Sequence, residues 1–379
     1  MKKLTLAALA LAVFCSSCDK KYAEPELFLE SAFDKTINGG KVSLYTLTNK
    51  NGMAVQITNY GARIVDLWAP AADGSFRDVV MGFETIDNYL NAKDINNGPV
   101  VGRYGNRIGK GRFTLDSTQY QLTLNERDNH LHGGTGGFGS RVWEVIDSSP
   151  SSILLGYISP DGEDGYPGEL RINVTYQLTD DNSLKITYEA STDAPTILNP
   201  TSHSYFNLHG TNSRSTDSHI LTINADSFTP TDSELIPTGE IAPVAGTPMD
   251  FRAPHAIGER VGTKGYQPIE YGGGYDHNWA ISKKKGPGEV EEVAEVYEPS
   301  TGIVMKILTD QPGLQFYSGN FMDGKEKGKR GNKNEYRSGI ALETQNFPDA
   351  PNQSNFPSAV LRPGKVYHHI CIYQFSTKK

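Results

Sequence analysis

The chain has 379 residues, more than a typical single domain, and contains 39 glycines, 21 prolines, 19 tyrosines and 15 phenylalanines. This composition favours many strands joined by turns and argues against a helix bundle. The formal net charge of −8 argues against a general nucleic-acid-binding protein, because such proteins carry an excess of lysine and arginine.

Residues 1–18 have the features of a bacterial lipoprotein signal peptide. A lysine pair precedes an apolar run over residues 4–14, and two serines stand directly before Cys18. Phe14 before Cys15 fits poorly, because cleavage needs a small residue at that place. We expect lipidation of Cys18 and an anchor in the cell envelope, at the periplasmic face or the outer membrane, with ordinary cleavage nearby as the alternative.

The use of cysteine is consistent with this expectation. Cys15 would leave with the signal peptide and Cys18 would carry lipid, so Cys371 would remain alone and no intramolecular disulfide could form. Cys371 lies in an apolar, strand-like run and is predicted to be a buried, inert thiol. We predict a polar tether over residues 19–38 and one globular domain, carrying the candidate catalytic residues, over residues 39–379.

Strand patterns dominate from residue 41 onward. The clearest hairpin joins residues 171–179 to residues 183–190 through an Asp-Asp-Asn turn, and both segments alternate apolar with polar residues. The pattern predicts an all-β fold, a large twisted antiparallel β-sandwich, with one short helix over residues 87–93. Further strands are predicted over residues 153–158, 220–225, 303–308, 314–317 and 367–375.

Two lysine-rich runs and a glycine-rich run have simple interpretations. Residues 283–285 and 325–330 are predicted to be solvated turns and not binding sites. Residues 133–139 are rich in glycine but lack the Lys-Ser/Thr end of a P-loop and the strand-to-helix setting of a dinucleotide-binding motif. We interpret them as a flexible loop beside the functional site.

Glu343 is a candidate proton acceptor because of its position in a strand. In residues 338–345, Ala341 and Glu343 share one face of the strand and Leu342 points to the other. Prolines that follow interrupt the strand, so Glu343 would lie near its end, partly buried but within reach of a ligand. The alternative is an exposed strand carboxylate or a structural salt bridge.

His203 and Asp276 are candidates for the same site. An unperturbed imidazole pKa near 6.5 suits His203 to donate and accept protons near neutrality, although it could instead stabilise a bend. Asp276 follows three glycines, which permit a close approach of the backbone to a ligand, although it could instead cap a turn. His130 and His132 would share a face if they lay in a strand, but the sequence around them offers no complete zinc ligand set.

Other residue types also suit a polyhydroxylated ligand. The segment 102–108 (GRYGNRI) contributes an arginine and an asparagine suited to binding hydroxyl groups, and aromatic side chains could offer flat faces to sugar C–H groups. The set suggests sugar chemistry by general acid and base catalysis. The candidate aromatic residues are Tyr205, Phe206, Tyr275, Trp279 and Tyr317.

Six motifs, in order, resemble those of the aldose 1-epimerase (galactose mutarotase) family. They cover nearly all of the chain from about residue 40 to its end, and Gly105 stands where such enzymes often have alanine. The resemblance implies a large antiparallel β-sandwich with the sugar in an open cleft on one sheet. The motifs are residues 102–108, 130–134 (HLHGG), 199–208 (NPTSHSYFNL), 274–279 (GYDHNW), 311–320 (QPGLQFYSGN) and 342–352 (LETQNFPDAPN).

The resemblance also implies roles for individual residues. Glu343 resembles the base that takes a proton from O1, His203 the acid that protonates the ring oxygen O5, and His132 a second histidine near that oxygen. The ring then opens, rotates about C1–C2 and recloses, interconverting the α and β anomers of free aldohexoses such as glucose and galactose. The residues expected to bind or orient the sugar are Asn106, Arg107, Tyr205, Asp276 and Gln315.

The expected partners follow from the resemblance together with the net charge and the signal sequence. The substrate would be a free monosaccharide, no nucleic acid would bind, and contact with a membrane would be through the lipid anchor alone. No cofactor or metal would be required, although calcium or sodium could bind without taking part in the reaction. A monomer is expected.

Two other functions remain open from the sequence alone. A glycoside hydrolase would use paired carboxylates, here Asp276 and Glu343, across a glycosidic bond. A non-catalytic sugar-binding protein of the cell surface would use the same polar and aromatic residues without chemistry. The sequence also does not distinguish glucose, galactose, xylose or the end of a disaccharide as the preferred substrate.

Overall fold

The computed structural model describes residues 24–211 and 214–378. The predicted signal peptide and Cys18 lie outside these residues. Within them the chain is built mainly from antiparallel strands, and none of the described helices has the length and apolar character needed to cross a membrane.

Twenty-nine strands and three short α-helices make up the described regions. The strands of the first half are β1 Lys35–Ile37, β2 Gly40–Val42, β3 Leu44–Thr48, β4 Ala54–Thr58, β5 Arg63–Pro70, β6 Phe76–Asp78, β7 Val100–Val101, β8 Arg107–Ile108, β9 Arg112–Leu115, β10 Thr118–Gln121, β11 His130–Leu131, β12 Glu144–Ser149, β13 Ser152–Ser159, β14 Leu170–Leu178 and β15 Ser183–Thr192. Those of the second half are β16 Thr196–Ile197, β17 Thr201–Ser202, β18 Tyr205–Phe206, β19 Ile220–Ile223, β20 Ser227–Thr229, β21 Ala242–Pro243, β22 His255–Ala256, β23 Asp276–Ala280, β24 Glu291–Glu298, β25 Ile303–Thr309, β26 Gly313–Tyr317, β27 Ile340–Gln345, β28 Val360–Leu361 and β29 Tyr367–Thr377. The helices are α1 Ile86–Asn91, α2 Ile257–Arg260 and α3 Gln267–Gly272, with 3₁₀ turns at Glu30–Ala32, Gly109–Gly111, Phe138–Ser140, Glu163–Gly165, Lys329–Gly331 and Ala350–Asn352.

One layer is a nine-stranded sheet in the order β12-β13-β14-β15-β29-β25-β24-β19-β22. The predicted hairpin forms its centre, where Leu170 pairs with Thr192 and Leu178 with Leu184. Along β14 the residues alternate between buried and more exposed, because one face of the sheet packs on the core. The hairpin and the five further predicted strands are confirmed, as is the short helix near residue 87.

The second layer contains a six-stranded sheet, in the order β18-β27-β26-β23-β20-β21, and the four-stranded sheet β3-β4-β5-β6. Apolar residues of both layers form one continuous core, which confirms the predicted antiparallel sandwich. Tyr373 of β29 donates a hydrogen bond of 3.0 Å to the carbonyl of Leu342 in β27 and packs against Phe206. Cys371 is buried within this core, as predicted.

The expected tether is shorter than residues 19–38. Phe33 is fully buried in a cluster with Val42, and β1 pairs with β2, so the described part of this segment folds against the domain. The polar residues around Phe33 suggested a solvated segment, but Phe33, with the partly buried Phe28 and Ile37, supplies apolar area that packs on the domain.

The interpretation of residues 325–330 as solvated turns is wrong for Lys329. This side chain is buried, and its Nζ lies 2.9 Å from Asp78 Oδ2 and 2.8 Å from the carbonyl oxygen of Val80. Arg330 Nη1 contacts the same carboxylate oxygen at 2.9 Å. A buried ammonium group requires such partners, so the run anchors a loop to the four-stranded sheet. Lys284 and Lys285 are exposed, as expected.

Candidate active site

Strand pairing brings the candidate residues together on the face of the six-stranded sheet that points away from the core. Glu343 of β27 pairs with Gln315 of β26, which in turn pairs with Asn278 of β23. His203, two residues before β18, lies beside Glu343, and these four residues form what we call the inner row. One pleat further along lies the outer row, which contains Tyr205, Ala341, Tyr317 and Asp276.

The side chains of His203 and Glu343 face one another at the floor of the site. His203 Nε2 lies 3.6 Å from Glu343 Oε1, and both side chains are almost completely buried. Burial raises the pKa of Glu343 to about 7, and the charges of His203 and Arg107 oppose this rise. A carboxylate with a pKa near neutrality is suited to accept and return a proton.

His132 is held in one tautomer by the backbone. The N–H of Asn106 donates a hydrogen bond of 3.0 Å to His132 Nδ1, so in the neutral ring the proton is on Nε2. Burial, with the charges of His203 and Arg107, lowers the pKa of His132 well below its usual value. His132 therefore stays neutral and can donate from Nε2. Its ring lies edge-on to that of His203, with centroids 4.8 Å apart.

His130 does not share this site. Its Nε2 lies 2.6 Å from the hydroxyl of Tyr166 and its Nδ1 lies 2.7 Å from the carbonyl oxygen of Thr123. His132 has a φ of +52°, outside the extended region, so the alternation that would place both histidines on one face is broken. The zinc site considered for this pair is not formed.

Two neighbours contact the carboxyl group of Asp276 and fix its position. Gln315 Nε2 donates a hydrogen bond of 2.7 Å to Asp276 Oδ1, and Arg107 Nη1 lies 3.5 Å from Oδ2. Arg107 Nε lies 3.6 Å from Glu126, so its guanidinium links two carboxylates. Asn106 Oδ1 accepts a hydrogen bond of 2.8 Å from the backbone N–H of Arg107, and Asn106 lines the cleft.

These side chains line a cleft of about 390 Å³. Every predicted catalytic and sugar-binding residue lines it except Gln315, whose side chain donates a hydrogen bond to Asp276. Of the five candidate aromatic residues, Tyr205 and Tyr317 line the cleft, and the other three are in the core. The lining residues are Lys93, Asp94, Asn96, Asn106, Arg107, Leu131, His132, His203, Tyr205, Asp276, Tyr317, Phe321, Met322, Asp323, Glu326, Asn334 and Glu343.

Sequence reasoning missed one wall of the cleft. One loop, residues 93–96, follows α1, and the other, residues 321–334, lies between β26 and β27. The two loops meet at a hydrogen bond of 2.8 Å from the Lys93 N–H to Glu326 Oε1. Polar loop residues carry no local sign of which surface they face, so the sequence offered no signal beyond the proximity of residues 321–334 to a motif.

The glycine-rich run 133–139 is closely packed, since a Cβ on Gly133 would lie 1.7 Å from the carbonyl oxygen of Gly102.

His132, His203 and Glu343 also have the composition of a metal ligand set. One atom of each lies within 4.8 Å of the others. The Nδ1 of His132 is occupied by the Asn106 N–H, however, so its Nε2 carries the ring proton and is not available to a cation without a change of tautomer. The arrangement is better suited to proton transfer than to metal binding. That calcium or sodium could bind without taking part in the reaction stays a prediction.

Comparison with known proteins identifies the family of this chain. The sequence profile of the aldose 1-epimerase family matches residues 43–374. The chain belongs to the aldose 1-epimerase family. Accordingly it is an isomerase that interconverts the anomers of aldoses.

Relatives of this family align along most of the chain. The galactose mutarotase of Rattus norvegicus is 42% identical over 340 residues, which cover 89% of this chain and 95% of the relative. That of Homo sapiens is 43% identical over 338 residues, with 89% and 95% covered. Among solved structures, an aldose epimerase homologue from C. elegans has a TM-score of 0.82 at 32% identity, covering 89% of this chain and all of that one.

The raised pKa of Glu343 predicts a pH-dependent effect of Glu343→Gln on stability. The stability associated with a raised carboxyl pKa is complete below the unfolded value, about 4.5, and is lost as pH rises through about 7. One pKa unit corresponds to about 1.4 kcal/mol. The change in the free energy of unfolding that Glu343→Gln causes should therefore be more stabilising at pH 8 than at pH 5, by on the order of 1–3 kcal/mol.

Urea denaturation at both pH values measures this difference. Glu259→Gln is the matched control, because the Glu259 side chain is half exposed, and it should show a difference below about 0.5 kcal/mol. An effect of Glu343→Gln that is the same at pH 5 and pH 8 would contradict the raised pKa.

Proposed function

We propose that the protein interconverts the α and β anomers of free aldohexoses such as glucose and galactose, as part of hexose metabolism. Glu343 is proposed to act as the base at O1 and His203 as the acid at O5. The observation that carries this assignment is the separation of 3.6 Å between His203 Nε2 and Glu343 Oε1 at the buried floor of an open cleft. Two titratable groups this close can both contact the anomeric end of one pyranose.

The proposed step transfers two protons and breaks one bond. Glu343 takes the proton from O1–H as protonated His203 gives a proton to O5, and the C1–O5 bond breaks to leave an aldehyde at C1. Rotation about C1–C2 presents the other face of the carbonyl. Reclosure returns the proton from O5 to His203 and from Glu343 to O1, so no oxidant, reductant or cofactor is consumed.

The remaining polar residues are proposed to bind and orient the sugar. Arg107 keeps its charge and donates to hydroxyl groups without exchanging protons. Asp276 accepts from hydroxyl groups, and Gln315 holds its carboxylate in place. His132 stays neutral and donates from Nε2 beside the ring of His203, close to where O5 would lie.

The glycoside hydrolase alternative is less well supported. A hydrolase of this kind needs one carboxyl group as a general acid and a second as base or nucleophile. Asp276 is the nearest candidate for the second group, but Gln315 and Arg107 contact both of its oxygen atoms. These contacts fix the position of the Asp276 carboxyl group and support a role in binding hydroxyl groups.

Polarimetry of freshly dissolved α-glucose and α-galactose tests the assignment. The protein should accelerate equilibration, and Glu343→Gln and His203→Ala should each lower kcat/KM by about 10²-fold or more, because a positioned acid or base contributes about that factor. His255→Ala and Glu259→Gln are matched controls, since this ion pair of 3.0 Å lies on the surface and does not line the cleft. No acceleration by the wild-type protein would refute the function, and near-normal rates in either cleft variant would remove that residue from the mechanism.

We also propose that the protein is lipid-anchored through Cys18 in the bacterial cell envelope. The support is the signal sequence described above. An anchor of this kind would place the isomerase where sugars are released outside the cytoplasm.

Cys18→Ser tests the anchor. The wild-type protein should fractionate with membranes and incorporate a labelled fatty acid, because a lipid chain buries many methylene groups. The Cys18→Ser variant should lose both properties. Recovery of the wild-type protein in the cytoplasmic fraction would contradict the proposal.

A further inference from the structure

Two buried amide side chains lie close to the base but outside the cleft. Asn278 belongs to the inner row, two strands from Glu343. Gln345 lies one pleat further along β27, on the same face as Glu343. Both amides are almost completely buried, and neither lines the cleft. They are therefore enclosed within the sheet face that carries the base.

The polar atoms of these amides have no hydrogen-bond partner among the described residues. This holds for Nδ2 and Oδ1 of Asn278 and for Nε2 and Oε1 of Gln345. Gln315 Oε1 and Glu343 Oε2 are likewise buried and unpaired within the described part of the chain. Four neighbouring side chains thus offer two amide groups as donors, with three amide oxygens and one carboxylate oxygen as acceptors.

Gly313 provides the space in which these groups approach one another. It pairs with Gln345 on one side and with Ala280 on the other. A Cβ at this position would lie 2.3 Å from Asn278 Oδ1 and 3.0 Å from the ring of Phe347. The Asn278 amide therefore lies over Gly313, beside the position of Gln345, and Phe347 covers the same place.

Such a group of buried polar atoms requires partners. Folded proteins pair more than about 90% of their buried polar groups, either with other protein groups or with ordered water. A sugar in the cleft cannot reach these amides, because they do not line it. A buried water molecule makes about three hydrogen bonds, so it can join an amide of Asn278 or Gln345 to the free oxygen atoms of Gln315 and Glu343.

We propose that Asn278 and Gln345 are positioning residues for the base, and that with Gln315 they hold internal water that donates a hydrogen bond to Glu343 Oε2. The inference rests on the proposed function, in which Glu343 takes the proton from O1. Water on Oε2 fixes the rotation of the carboxyl group and leaves Oε1, which lies 3.6 Å from His203 Nε2, for proton transfer.

The same water affects the proton affinity of the base. A hydrogen bond donated to a carboxylate stabilises its charged form. The water therefore opposes the rise in the pKa of Glu343 that burial causes. Without it, the carboxyl group would hold its proton up to a higher pH and would act as a base over a narrower range.

The pH dependence of kcat tests this role. Gln345→Met and Asn278→Leu remove the amide groups and keep the approximate size of each side chain. The acidic limb of the profile should move upward by about half a pH unit or more, because the carboxylate loses a hydrogen bond. KM should change less than about two-fold, since neither side chain lines the cleft. Loss of a purely structural residue would lower the rate by the same factor at every pH.

Gln311→Met is the matched control. Gln311 is also buried, but its amide donates a hydrogen bond of 3.0 Å to Asp310 and does not line the cleft. This variant should leave the acidic limb in place even where it lowers stability. A movement of the limb equal to that of Gln345→Met would overturn the assignment.

NMR titration of the Glu343 carboxyl carbon, assigned with Glu343→Gln, gives a readout that does not need catalysis. The pKa of Glu343 should rise in Gln345→Met and in Asn278→Leu, and either variant is sufficient if the other does not fold. An unchanged pKa would overturn the inference. A raised pKa in a protein that does not accelerate mutarotation would support the water-mediated contact and overturn the proposed function.

A high-resolution crystal structure shows the water directly. It should lie within about 3.2 Å of Glu343 Oε2 and of an amide group of Asn278 or Gln345. Direct pairing of the two amides with each other, with no water on Glu343 Oε2, would contradict the proposal.

Discussion

The site depends on the alternation of side chains along β27. Leu342 packs between the two layers, where its carbonyl accepts a hydrogen bond from Tyr373, so Glu343 must point to the opposite face. A shift of one residue would place the carboxylate in the apolar core and remove Leu342 from it. The core therefore fixes the direction of Glu343, and pairing of β27 with its neighbours fixes which residues lie beside it.

The burial of Glu343 costs folding stability when its carboxyl group is charged, and it gives that group a pKa suited to proton transfer. Glu343 is nearly inaccessible to solvent, and its raised pKa reflects the cost of charging it there. The same burial places its proton affinity near neutrality, where a base can both take and return a proton. Asp276, in contrast, receives a hydrogen bond from Gln315 and lies near Arg107. The two carboxyl groups on this sheet face therefore have different surroundings.

Local patterns predicted local structure and the direction of key side chains. The hairpin of β14 and β15 and the alternation around Glu343 both follow from neighbouring residues, and both are confirmed. The six motifs indicated the family. Contacts between distant parts of the chain could not be predicted from the sequence. Lys329, for example, is buried because Asp78, 251 residues away, pairs with it. The wall that carries Phe321 was missed for the same reason, since its place in the cleft depends on how two loops meet.

The most direct test is a crystal structure with a bound aldohexose. It should show the Glu343 carboxylate within about 3 Å of O1 and His203 Nε2 within about 3 Å of O5, the range of hydrogen bonds between such groups. A sugar bound in the reverse direction, with its anomeric end beside Phe321 and neither O1 nor O5 in contact with the pair, would contradict the account.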